Sequence, residues 1–286
     1  MLERVYVEIG NICNLSCSFC AGTSRRKRQM SKDEFSLVCQ RIKGHTKFIY
    51  LHVLGEPLLH PELDELLSIA KENSLKVCIT TNGTLISEKQ DILLKNSDVI
   101  HKICISLHAI EGNGLNVNLE YLNMIAKFSL SASQKGIYVI YRLWNKDGEN
   151  IKGKNTQNDL IENFLKKNYG DDWQVRPRGY RLKQNIMLEY DQVFTWPTES
   201  KAEEIEEGFC YGLTTQLAVL VDGSVVPCCL DANGEITLGN IYIDDLDKIL
   251  LSERATKIKD SFKSGKITEK LCKKCTFMRK FRKRNN

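Results

Sequence analysis

Seven of the eleven cysteines in this 286-residue chain fall into two arrays whose spacing suits metal chemistry. Cys13, Cys17 and Cys20 form a C-x3-C-x2-C array within one loop. Three thiolates can hold three irons of a 4Fe–4S cube, which ordinarily takes four cysteines. The fourth iron is then left open to a cofactor or a substrate. A structural zinc would instead need a fourth ligand in tetrahedral geometry. The nearest are Cys39 and His45, and Cys39 lies on the apolar stripe of an expected helix. Cys210, Cys228, Cys272 and Cys275 form the second array, C-x12-G-x4-C around Gly223, closed by a C-x2-C pair. Four cysteines saturate a cluster, and they also suit a zinc ribbon. Cys229 sits beside Cys228, but successive strand residues point to opposite faces, so only one of the two joins the set. Cys39, Cys78 and Cys104 fall in apolar runs and read as packing residues. No secretory leader is visible at the start of the chain, so a disulfide framework is not expected.

The first array, with its surroundings, resembles the radical S-adenosylmethionine superfamily. It follows the first expected strand, as in that family, and Phe19 precedes its last cysteine where the family carries an aromatic residue near the adenine. Gly55-Glu56-Pro57 follows the second strand and matches the family's Gly-Glu-Pro motif, whose backbone helps hold the methionine amino group. Thr81-Asn82-Gly83 ends the third strand and Ser106 lies near the end of the fourth, where the family places polar contacts to the cofactor. Arg142 or Asn145, at the end of the fifth, is implied as a contact to the methionine carboxylate or the ribose. The resemblance implies a 4Fe–4S cluster whose open iron binds S-adenosylmethionine, and reductive cleavage to a 5′-deoxyadenosyl radical that takes a hydrogen atom from the substrate. Gly-Glu-Pro and the open iron separate this enzyme from a non-catalytic iron–sulfur carrier or zinc module, which needs neither. The second array resembles the family's SPASM and twitch extensions. Only four of its cysteines fit, which implies the shorter twitch form with one auxiliary 4Fe–4S cluster for electron transfer or electrostatic tuning.

The elements that must position these residues alternate regularly. Val5–Ile9, Lys47–Val53, Leu75–Thr81, Ile100–Leu107, Ile137–Leu143 and Trp173–Arg176 read as strands, mostly apolar on both faces as parallel strands are. Between them Phe35, Val38, Cys39 and Ile42 share one helical face, as do Leu63, Leu66, Leu67 and Ala70, and Tyr121, Ile125, Phe128 and Ala132. Ser31 and Glu34 make a capping box, and Asn158–Lys167 reads as a further helix. The expected fold is α/β, a partial parallel (β/α)6 barrel, with a small C-terminal α+β cluster-binding domain. We place the barrel at 1–195 and the twitch-like domain at 196–286. Residues 181–207 lack periodicity and read as a connector. Gln216–Val221 and Ser224–Leu230, joined at Asp222-Gly223, read as a hairpin, and Asp244–Lys257 as a short helix.

The substrate is the least legible part. His52, His108, Glu8, Tyr141, Trp144, Trp173 and the run Arg176, Arg178, Arg181 can line a cavity, but each has a packing or solvated reading beside the functional one. Arg25-Arg26-Lys27-Arg28 can meet an anion or a reduction partner. The resemblance leaves oxidative or epimerising modification of a peptide side chain open. The lean is towards a small polar cyclic or nucleobase-like substrate, for example cleavage of a modified deazaguanine base as in queuine lyase. The family implies an electron donor such as flavodoxin or ferredoxin. A net charge of +5 does not imply a nucleic-acid partner. No apolar run is long enough to span a bilayer, and a cytoplasmic location is expected.

Overall fold

The computed structural model describes residues 1–146, 155–193 and 195–278; the basic tail Arg279–Arg284 lies outside the described residues. The strands are β1 (Arg4–Val7), β2 (Phe48–Tyr50), β3 (Lys76–Thr81), β4 (Ile100–Ser106), β5 (Tyr138–Lys146), β6 (Gln174–Arg176), β7 (Gly179–Lys183), β8 (Ile186–Gln192), β9 (Gln216–Val219), β10 (Ser224–Val226) and β11 (Gly239–Asn240). The helices are α1 (Lys32–Ile42), α2 (Leu63–Glu72), α3 (Ile86–Lys95), α4 (Ala109–Gly112), α5 (Leu119–Gln134), α6 (Asn158–Tyr169), α7 (Leu246–Leu250), α8 (Glu253–Lys263) and α9 (Lys270–Lys273).

All strands join one sheet in the order β11-β10-β9-β1-β2-β3-β4-β5-β8-β7-β6. β1, β2, β3, β4, β5 and β8 pair parallel in that sequence, and β9 pairs parallel with β1 on the other side. The sheet curls, because side chains two strands apart meet across its concave face. Lys102 Nζ lies 3.4 Å from Tyr50 Oη, and Arg142 Nη1 lies 3.3 Å from Thr80 Oγ1. This is the parallel-dominated α/β architecture expected from the strand–helix alternation.

The alternating burial explains the layering. Val5, Val7, Ile49, Val77, Ile79, Ile103, Ile105, Val139, Tyr141 and Leu143 are fully buried on the convex face under the helices. There Phe35, Val38, Cys39 and Ile42 of α1 and Leu63, Leu66, Leu67 and Ala70 of α2 cover them. The capping box at α1 forms as expected: Glu34 N donates to Ser31 Oγ at 3.2 Å, and Ser31 N to Glu34 Oε2 at 2.8 Å.

Two expectations need correction. Trp173–Arg176 was expected to supply the sixth parallel strand, but β6 is an exposed antiparallel edge. The sixth parallel strand is β8, inside the segment expected to be a connector. β6, β7 and β8 form a meander with a left-handed residue, Asn185 at φ 59°, in the β7–β8 turn. A short Asn-bearing turn, not a helix, immediately precedes β8, and charged residues on the open face mask the buried Ile186 and Leu188. The expected helix over Asp244–Lys257 is broken in two, because Ser252 caps a new helix by accepting from Ala255 N at 3.3 Å. α3 was not anticipated.

Candidate functional site

The loop after β1 is pinned at its base by Asn11, which is 1% exposed. Its amide donates to Arg26 O at 3.0 Å, and its Oδ1 accepts from Arg28 N at 2.8 Å. The three cysteines project from the loop so anchored: Cys13 and Cys20 are exposed and Cys17 is half-buried, whereas Cys39, Cys78 and Cys104 are all buried. The two groups of cysteines thus differ in environment as well as in spacing.

Two further loops at the carboxyl ends of the parallel strands brace the first. Glu56 N donates to Ile12 O at 2.9 Å. Gly55 sits at φ +79°, and a Cβ there would overlap the carbonyl oxygen of Gly10. The Glu56 carboxylate is buried, which raises its pKa, and it accepts from Leu58 N at 3.0 Å and Asn82 N at 2.8 Å, both of which oppose that rise. One side chain therefore caps the turn begun by Pro57 and ties it to the end of β3. Asn82 Nδ2 donates to Asn14 Oδ1 at 2.9 Å and stands 4.0 Å from Cys13 Sγ. The Gly55→Ala variant should lose at least about 2 kcal/mol of stability, because a left-handed conformation is costly for alanine and the Gly10 backbone must also move. Thermal unfolding with iron analysis checks this, the iron loss being confined to the first array.

On the other side the loop leans on α4. Ser16 N donates to Asn113 Oδ1 at 2.6 Å, and Ser18 N to Gly112 O at 2.7 Å. Phe19 packs 5.0 Å from the ring of His108 and against Gly112, where a Cβ would overlap it. Trp196 Nε1 donates to Phe19 O at 3.0 Å. Burial pushes the Cys17 thiol up to about 12, with Cys13 and Cys20 adding to the rise. The Cys13 and Cys17 thiols, both raised, are therefore neutral without metal, and cluster loading must release their protons.

The structure brings Cys13, Cys17, Cys20, Phe19, Gly55, Glu56, Pro57 and Asn82 to one end of the barrel. Ser106, at the end of β4, is paired in register with Arg142 in the middle of β5. Asn145 is elsewhere: its buried amide exchanges two hydrogen bonds with Asn158 of α6, at 3.1 and 3.0 Å. Glu8 is committed to Arg25 and to Val221 N rather than to a ligand. Tyr141 is core, its hydroxyl 2.6 Å from that of Tyr169. Trp173 packs on Tyr180, and Arg178 pairs with Asp191.

The second array gathers beside β9 and β10. Cys210, Cys228, Cys272 and Cys275 are half-buried, and each lies within electrostatic range of at least one of the others. Burial raises all four thiols, that of Cys210 to about 11. Backbone amides aim at three of the sulfurs: Gly212 and Tyr211 at Cys210, Leu230 at Cys228, and Met278 and Phe277 at Cys275. Such donors stabilise thiolates and suit an iron–sulfur donor set. Cys229 accepts a hydrogen bond from Tyr6 and also lies within electrostatic range of Cys275. Among the described residues, no three Cys, His, Asp or Glu side chains converge tightly enough to hold a single metal ion.

The sequence reading missed the polar lining of the concave face, above all Lys102, Tyr50 and Thr80. A lysine within Ile100-His101-Lys102-Ile103-Cys104-Ile105 was the available signal, since lysine is rarely buried in a parallel strand.

A parallel α/β half-barrel with a three-cysteine loop, a Gly-Glu-Pro turn and a second cysteine set defines a class, and sequence comparison agrees. Residues 7–137 match the model of the radical SAM superfamily, and residues 210–276 match that of the SPASM iron–sulfur cluster-binding domain. The chain carries a radical SAM domain and a SPASM-type domain; these imply as cofactors S-adenosylmethionine, the 4Fe–4S cluster that binds it, and auxiliary iron–sulfur. It is similar to a GTP 3′,8-cyclase of Chlorobaculum tepidum, 33% identical over 98 residues, which are 33% of this chain and 30% of that protein. It is also similar to a probable GTP 3′,8-cyclase of Sulfurisphaera tokodaii, 22% identical over 91% of each chain. Its fold is shared with BtrN in complex with AdoMet and 2-DOIA, at a TM-score of 0.62 and 18% identity over 96% of this chain and 93% of that one. Among the described residues, no helix is long and apolar enough to cross a membrane.

Proposed function

We propose that Cys13, Cys17 and Cys20 hold the cluster that binds S-adenosylmethionine, and that the enzyme acts on a small polar cyclic or nucleobase-like substrate inside the barrel. The observation that carries the site is the convergence of the Cys13, Glu56 and Asn82 loops at the carboxyl ends of the parallel strands, where such folds place their chemistry. The bound cofactor supplies a 5′-deoxyadenosyl radical when the cluster is reduced. The protein's part is to position and to exclude water. Asn11, Glu56 and Asn82 fix the cysteine loop, Phe19 walls one side of it, and Ser106 lies across from them. The backbone of Gly55-Glu56-Pro57 offers polar groups to the methionine end. Asn145 has no part in this set, because its amide is engaged with Asn158.

A nucleobase-like substrate draws support from the full-length similarity to a protein named as a GTP cyclase. Cleavage of a modified deazaguanine base is the specific reaction to try first. Cys210, Cys228, Cys272 and Cys275 hold one auxiliary cluster, and the division at 195/196 separates radical generation from it. The electron donor is a flavodoxin or ferredoxin. The decisive assay is 5′-deoxyadenosine release by anaerobically reconstituted, reduced protein. Release that rises with a deazaguanine or another cyclic polar compound supports the reading, and release stimulated only by peptides would replace it with peptide modification. Cys272→Ala should lower iron from about eight to about four per chain, keep some 5′-deoxyadenosine release and impair substrate turnover. Wild-type iron content with unaltered turnover would show that Cys272 is not a ligand.

A further inference from the structure

The cysteine loop is braced on three sides and basic on a fourth. The Glu56 and Asn82 loops hold it on one side, α4 on another, and Trp196 of the connector reaches Phe19 O on a third. The fourth side is the run Arg25-Arg26-Lys27-Arg28, which returns antiparallel past the start of the loop, with Gly10 bridged to Gln29. This run and the hairpin residues Val221 and Asp222 line a groove of about 490 Å³. Asn11 ties the run to the loop: its Nδ2 donates to Arg26 O at 3.0 Å, and Lys27 Nζ donates to its carbonyl oxygen at 2.9 Å. Cys13 is two peptide units further on, so at most about 7 Å separates the Cα atoms of Asn11 and Cys13.

The four cations of the run are not equivalent. Arg25 is matched by Glu8 at 2.7 Å and Arg28 by Glu34 at 2.5 Å. Arg26 and Lys27 are exposed, and among the described residues neither has an ion-pair partner. Asp222, the acid lining the groove, is turned into its own hairpin, where Oδ1 accepts from Ser224 N at 3.1 Å. Solubility would be served by charge anywhere on the surface. Here two unmatched cations stand on the solvent side of a loop that must receive an electron, next to the exposed Cys13 and Cys20. Electron-transfer proteins meet through small, transient interfaces, in which complementary charge governs encounter more than buried area does.

We propose that Arg26 and Lys27 dock a small acidic one-electron carrier protein, which reduces the first cluster from this side. The carrier gives up one electron, the cluster gains it, and no bond is made or broken. The path crosses the Asn11–Arg26 hydrogen bond and two peptide units to Cys13. The carrier stays on the outer side of the loop, so the cofactor keeps the side facing Glu56 and Asn82. This rests on reading Cys13, Cys17 and Cys20 as cluster ligands, and it gives the electron donor a surface.

The probe is reduced flavodoxin, mixed anaerobically with the cluster-loaded full chain. Freeze-quenched EPR follows the cluster whose signal S-adenosylmethionine perturbs. Reduced methyl viologen, a small cation, is run in parallel. Arg26→Glu combined with Lys27→Gln should slow reduction by flavodoxin about tenfold at low salt, the size of a modest steering effect, and should not slow reduction by viologen. The gap should close at about 1 M salt, where charges are screened beyond about 3 Å. Lys27→Gln keeps a donor for Asn11 O, and Arg26→Gln alone serves if the double variant loses iron, with a smaller slowing expected. An unchanged flavodoxin rate overturns the proposal, as does an equal loss with viologen at full iron content. So does the same loss when the charge change is made instead on α5 and its C-cap, by Lys127→Glu and Lys135→Gln. Release of 5′-deoxyadenosine by the viologen-reduced wild type checks the cluster reading separately. Its absence would sink that reading, whereas release with a flavodoxin rate indifferent to Arg26 and Lys27 sinks the docking surface alone.

Discussion

Replacement of Cys13 by alanine is expected to reduce 5′-deoxyadenosine formation to background and to lower bound iron by about half, from about eight to about four per chain. The thiolate is the iron ligand, and two cysteines with neutral amide neighbours cannot substitute for three. Cys13 is exposed and takes little part in packing. Its loop stays pinned by Asn11, Glu56 and the α4 contacts, so thermal stability of the metal-free protein should change by less than about 0.5 kcal/mol. Iron analysis, unfolding and the cleavage assay together separate a lost ligand from a lost fold. Cleavage retained by Cys13→Ala with the remaining iron intact would remove this cysteine from the cluster.

A comparably large effect on stability is expected away from the cysteines. Glu8, at the end of β1, is 0% exposed, and its carboxylate lies 2.7 Å from Arg25 Nη2. The other carboxylate oxygen accepts from Val221 N at 2.9 Å, and Arg25 Nε donates to Ala232 O at 2.8 Å. One buried ion pair thus joins the first strand, the cysteine loop and the hairpin that leads to the second cysteine set. Arg25→Met leaves the Glu8 charge buried and unpaired, which costs about 3–5 kcal/mol. At roughly 2–4 °C per kcal/mol the midpoint should fall by about 10 °C. Adding Glu8→Leu should recover much of that loss, since well-packed apolar residues can replace a buried pair. A single substitution that leaves the midpoint unchanged would show that the pair is solvated.

Local pattern explains what could be read in advance. The cysteine spacings, Gly-Glu-Pro and the capping box at Ser31 and Glu34 are short-range features, in which chemistry or hydrogen bonding is decided by residues a few positions apart. β1 to β5 were legible because they are short runs rich in β-branched and aromatic residues, separated by helical stripes. β8 was not, since a meander strand at the edge of the barrel carries charge on its open face and follows a turn rather than a helix.

The sequence by itself determined the class of chemistry, the order of the first five strands and which cysteines could act together. Only the tertiary structure decided that Asn145 serves α6, that Glu8 joins distant parts of the chain, and that Cys228 lies near Cys210 and Cys272 while Cys229 meets Tyr6. It also set Lys102 and Arg142 within electrostatic range of His52. These residues come from strands tens of positions apart, and their meeting depends on strand register and on the curl of the sheet. Both are set by the packing of the whole convex core, which no local spacing encodes.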